Sequence, residues 1–93
     1  MESTARVSTE RPARYIKQLA QHFGNRIETR YDDDGGSLNF EYGRCELVAE
    51  DGAIVLRAQA DDDEKLTRVE DVTGRHLERF GQKNELTVSW QRI

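Results

Sequence analysis

Three side chains of this sequence have the chemistry of a nucleophile or a base: the single cysteine, Cys45, and the two histidines, His22 and His76. A cysteine attacks as its thiolate, which needs a histidine, another cation or a helix N-terminus beside it. Cys45 with His76, or with His22, is therefore one candidate constellation for a small enzyme. The spacing supports a second reading. Cys45 stands in an alternating run with Leu47 and Ala49, in phase with inward positions, where a cysteine behaves as a small hydrophobe. His76 is also inward by helical phase, so it stays within reach of the sheet and both readings stand.

Two acidic clusters invite a metal reading. Asp32, Asp33 and Asp34 precede Gly35 and Gly36, but a calcium loop beginning at Asp32 needs glycine in its sixth place and glutamate in its twelfth. Ser37 and Gly43 stand there instead. An acidic hairpin turn accounts for the segment. Asp61, Asp62, Asp63 and Glu64 open an apolar-periodic run, where Asp61 with Glu64 makes a capping-box arrangement and the acids complement the positive helix end. One cysteine excludes a four-thiolate metal site and an internal disulfide. No catalytic, metal-ligating or cofactor-binding residue, and no cofactor, follows from these patterns.

Tyr31, Phe40, Tyr42 and Trp90 have the chemistry of a base-stacking platform. Each is also in phase with core residues of its own strand, and Tyr42 and Trp90 are placed to line a pocket between sheet and helices. The opposite sheet face carries Arg26, Glu28, Arg30, Asn39, Glu41, Arg44, Glu46, Val48, Val55, Arg57, Gln59, Thr87, Ser89 and Gln91. Arginine and glutamate alternate there as cross-strand pairs do on a wet sheet. A solvated face is one reading. A partner or subunit surface built on Arg26, Glu28, Arg44, Glu46, Arg57 and Gln59 is the other.

Chain-wide charge narrows the partners. Eighteen acids against 14 lysines and arginines give a formal charge of −4, which repels a phosphate backbone, so no nucleic-acid partner is expected. No apolar run approaches the ~20 residues of a membrane span, so no membrane partner is expected. The first residues have neither a basic nor an apolar signal region. The expectation is a cytoplasmic protein, a monomer or weak homodimer.

The elements that must position these residues are legible from periodicity. Residues 38–42, 45–49 and 54–58 alternate with period two, as half-buried strands do. Asp51-Gly52 lies between the last two, a strong signal for a tight hairpin turn. Residues 4–8 predict a first strand behind loose residues 1–3. Ile16, Leu19, Ala20 and Phe23 predict a helix starting near Thr9 and Pro12 and ending at an αL cap on Gly24. Residues 26–31 predict a second strand. Leu66, Val69, Thr73, His76, Leu77 and Phe80 predict a second helix stopped by Gly81, and Gly74 within it implies a bend or a close neighbour. Residues 85–91 alternate Leu86, Val88 and Trp90 and predict a last strand. The order β-α-β-β-β-β-α-β in one 93-residue domain predicts an α+β two-layer sandwich, an antiparallel sheet with two helices on one face. By fold analogy it matches the TATA-binding-protein-like arrangement, which licenses no function.

Several of the quoted stretches resemble a known family. They are Glu10-Arg-Pro-Ala-Arg-Tyr-Ile-Lys-Gln-Leu19, Phe40-Glu-Tyr-Gly-Arg-Cys-Glu-Leu47, Glu50-Asp-Gly52, Glu70-Asp-Val72, His76-Leu-Glu-Arg-Phe80 and Glu85-Leu-Thr-Val-Ser-Trp90. Together they resemble a small bacterial family, the domain of unknown function 2218 (DUF2218), over nearly the whole chain. The turns around Asp32 and Asp61 lie outside the shared motifs. The resemblance implies an accessory or binding role associated with siderophore-iron uptake, with a siderophore-interacting flavoprotein as partner. It transfers no catalytic or ligand-binding residue.

Overall fold

A computed structural model describes residues 1–93. The elements run β1 (Glu2–Ser8), α1 (Pro12–Phe23), β2 (Glu28–Tyr31), β3 (Gly35–Phe40), β4 (Gly43–Glu50), β5 (Ala53–Gln59), α2 (Asp63–Phe80) and β6 (Gln91–Arg92). A single 3-10 turn, Gln82–Asn84, follows α2. All six strands join one antiparallel sheet in the order β2-β3-β4-β5-β1-β6. No helix is long and apolar enough to cross a membrane.

Period-two alternation sets the sheet's two faces. Leu38 faces Cys45, Leu47 faces Leu56, and Leu56 faces Ala5 on the other side. All of these are buried, together with Ile16 and Leu19 of α1 and Leu66, Val69 and Leu77 of α2. Each large apolar side chain so buried contributes about 1.5–3 kcal/mol. Gly52 takes φ 79° in the β4–β5 turn, a left-handed conformation that explains glycine there. Asp32 closes the β2–β3 turn, its Oδ1 accepting from the Asp34 and Gly35 amides at 2.8 and 3.0 Å.

The structure corrects several boundaries. Residues 1–3, expected to be loose, are tied down. Glu2 and Ser3 pair with Gln59 and Ala58, and the Met1 amino group donates to the Ala60 carbonyl at 2.8 Å. Ser3 occupies an inward slot without an apolar side chain, so alternation could not announce it. Asp62, not Asp61, caps α2, accepting from the Lys65 amide at 2.8 Å. Gly24 is right-handed (φ −62°) rather than an αL cap, and the chain turns through residues 24–27 before β2 begins.

The last predicted strand is the largest correction. Only Gln91 and Arg92 join the sheet, paired with Thr4 and Ser3. Residues 86–90 alternate as expected, but they lie along α2. Leu86 seats against Gly81, and Val88 and Trp90 lie over Gly74. The Val88 amide donates to Glu78 Oε2 at 2.9 Å. Beyond them Arg92 reaches back to α2, pairing with Asp63, donating to Thr67 Oγ1 at 2.8 Å and to both oxygens of Glu70 at 3.0 and 3.2 Å. Gly74 is therefore the flat spot on which the C-terminal segment crosses the helix.

Candidate functional site

Arg68, Val72, His76 and Phe80 recur every four residues along α2, one stripe beside its buried face. The C-terminal end of α1, with His22 and Phe23, packs next to the same stripe. The β3–β4 turn brings Phe40, Glu41 and Tyr42 to the third side. Between these walls is a cleft of about 600 Å³, lined also by Asn25, Arg26 and Ile27.

The aromatic rings form a continuous chain through the cleft. Tyr42 stacks on Phe40, with centroids 5.1 Å apart and planes 16° from parallel. Phe40 meets the edge of Phe23 at 5.5 Å, Phe23 meets His76 at 4.8 Å, and His76 meets His22 at 4.8 Å. At the other end the Arg68 guanidinium lies 4.2 Å over the Tyr42 ring. A stacked guanidinium keeps its in-plane N–H donors free. Neither Arg68 nor Arg26 takes part in any of the protein's ion pairs.

Both histidines have defined roles in this wall. His76 Nδ1 lies 2.7 Å from the Val72 carbonyl. A carbonyl oxygen only accepts, so Nδ1 is the donor and Nε2 is the ring nitrogen left to face the cleft's contents. His22 is held below its ordinary value, first by partial burial and then by His76, Arg26 and Arg79. Burial raises the Tyr42 phenol above its ordinary value against the opposing effect of Arg68, so it stays protonated at neutral pH.

Cys45 has the surroundings of a core residue. It is fully buried, its thiol donates to the Glu46 carbonyl at 3.7 Å, and burial pushes the thiol up to about 12. The thiolate required of a nucleophile is strongly disfavoured there, and the thiol's hydrogen bond goes to Glu46 rather than to either histidine. The proposed aromatic platform is also divided. Phe40 and Tyr42 stack in the cleft, Tyr31 is 45% exposed on edge strand β2, and Trp90 lies on α2 over Gly74. Tyr42 lines the cleft as expected, but from a turn and without Trp90.

The polar sheet face assembles in part. Arg44 stands opposite Gln59, Glu46 opposite Arg57, and Glu28 opposite Asn39. Arg57 approaches Glu2 at 3.7 Å, and Gln59 donates to Glu2 at 2.8 Å, so the strand end expected to be loose adds a further acid to the face. Arg26 does not belong to this face. The turn after α1 delays β2 until Glu28, so strand phase does not govern residue 26, and its side chain lines the cleft. Thr87 and Ser89 leave the face with the displaced last strand.

The sequence pattern offers His22 only as a possible base and does not join Phe23 or Arg68 to it. The four-residue spacing of Arg68, Val72, His76 and Phe80 was the available signal. The approach of the α1 end to that stripe had no counterpart in local periodicity.

A family model described as "Uncharacterized protein conserved in bacteria (DUF2218)" matches residues 4–91. Among solved structures, the chain is similar to the NMR structure of PA4090 from Pseudomonas aeruginosa. The two are 30% identical with a TM-score of 0.82, covering 97% of this chain and 94% of that one. No curated protein matches the chain.

Proposed function

Because the chain belongs to the bacterial family described as uncharacterized, DUF2218, we propose a function from its geometry: a binding domain that takes a small ligand in the cleft between α1, α2 and the β3–β4 turn, and that performs no catalysis. What carries this reading is the union of a concave aromatic wall with two arginines that have no carboxylate partner. Ligand sites are concave, mostly apolar clefts with a few polar groups that fix orientation. The buried, protonated Cys45 thiol supports binding over nucleophilic chemistry.

Within this reading the domain is a cytoplasmic accessory of siderophore-iron uptake, acting beside a siderophore-interacting flavoprotein. The family resemblance is the support for that placement. Screening small aromatic fragments against the labelled chain by amide chemical shift tests the binding role. Shifts clustered at Phe23, Tyr42, Arg68 and His76 are expected, and an unresponsive cleft would remove the proposal. Titration with such a flavoprotein tests the partner.

A second reading, a partner or subunit surface on the open sheet face, is favoured by Val48, 43% exposed beside Arg44, Glu46 and Val55. Sedimentation over a wide concentration range tests it. Arg57→Glu should abolish any self-association made through that face, because interface energy concentrates in a few residues such as arginine.

A further inference from the structure

We infer that the ligand of the cleft is a flat aromatic acid, its rings against Phe23, Phe40 and Tyr42 and its carboxylate turned to Arg26 and Arg68; this rests on the binding reading above and assigns its ligand class. The charge of the cleft opposes that of the protein. The whole chain carries −4, yet two arginines line the cleft against the single carboxylate of Glu41, even with both histidines neutral. A locally cationic site attracts anions even on a protein of net negative charge.

The rings specify the other half of the ligand. Tyr42 and Phe40 are stacked nearly parallel, and Phe23 and His76 turn their edges toward their neighbours. A further planar ring continues such a chain by offset stacking or edge contact. At about 600 Å³ the space suits one or two fused rings rather than a polymer. Arg68, lying over Tyr42, carries the planar donor fork that matches a carboxylate.

The test uses 2-naphthoate, its neutral amide 2-naphthamide, the cationic 2-naphthylmethylamine, and adenosine monophosphate as a phosphate-bearing aromatic. Each is titrated into the labelled 93-residue chain and followed by amide shifts. The acid should bind at least about tenfold more tightly than the amide, the difference expected of charge-assisted hydrogen bonds, and the amine should bind worst. Arg68→Gln should bring the acid's affinity down toward that of the amide and lower the amide's far less. Its amide fingerprint shows whether the fold is kept, and Arg26→Gln provides a second variant with the same expectation.

Equal binding of acid and amide, or tighter binding of the nucleotide, would overturn the ligand class while leaving a ligand cleft in place. Unchanged acid affinity in both folded variants would overturn the assigned orientation and the inference with it. Silence of the cleft toward all four probes would overturn both the class and the binding reading.

Discussion

Replacing Gly74 with alanine sets two effects of similar size against each other. In an open helix position the change stabilises by about 0.8–1.0 kcal/mol, because glycine has more backbone freedom to lose. Here the new Cβ would lie 3.2 Å from Trp90 Nε1 and 3.5 Å from Val88 Cγ1. Carbon contacts are optimal at about 3.5–4.0 Å, so Val88 tolerates the methyl and the Trp90 ring must retreat. The segment carrying it is held on both sides, by Val88 on Glu78 and by Arg92 on Asp63, Thr67 and Glu70. Overpacking of this kind costs about 1–3 kcal/mol. The net expectation is anything from no gain to a loss of about 2 kcal/mol. In a Trp90→Ala background the obstacle is gone, and the same substitution should recover its gain of about 1 kcal/mol. The coupling between the two sites is then at least about 1 kcal/mol, well above the additivity of independent positions. Urea unfolding of all four proteins measures it, read by far-ultraviolet circular dichroism because Trp90 is the only tryptophan. A full gain in both backgrounds would refute the crossing of the C-terminal segment at Gly74.

Other parts of the structure give equally definite expectations. Leu56→Ala, at the centre of the sheet between Ala5 and Leu47, should cost about 2–5 kcal/mol and lower the melting midpoint by at least about 8 °C; an unchanged midpoint would mean the strand phase is wrong. The Cys45 thiol, buried and pushed up to about 12, should react with a labelling reagent only at the rate of unfolding, whereas fast labelling of the native protein would restore a reactive cysteine. Because His22 is held below its ordinary value near 6.5 by burial, His76, Arg26 and Arg79, the unfolded chain binds the proton more readily. Stability should therefore decline as pH falls below about 6.5 toward the lowered folded value. His22→Gln should flatten that part of the profile, and an identical slope in the variant would contradict the assignment.

The sheet was legible because each central strand buries one face, so period two translates directly into orientation. Leu38, Cys45, Leu47, Leu56 and Ala58 all point as their spacing requires. The same signal misled at the C-terminus. Leu86, Val88 and Trp90 alternate for the same physical reason, one apolar side toward a flat surface, but that surface is a helix. Gly74 held the missing information, since a glycine inside a helix marks a close neighbour as well as a bend. Caps were ambiguous for another reason: any of three consecutive aspartates can accept from the first amides, and the periodicity of Leu66 and Val69 is the same whichever one caps. The cleft was least legible. Its α2 stripe repeats every four residues, but Arg26 and Tyr42 lie in turns, where no periodicity fixes direction. The meeting of His22 with His76 depends on how two helices cross.

The site itself is tested most directly by intermolecular nuclear Overhauser effects between bound 2-naphthoate and the protein's ring protons. Contacts from the naphthalene protons to Phe23, Tyr42 and His76 are predicted. Contacts instead to Val48 and Val55 would place the ligand on the open sheet face and contradict the assignment of the helix-side cleft as the working site.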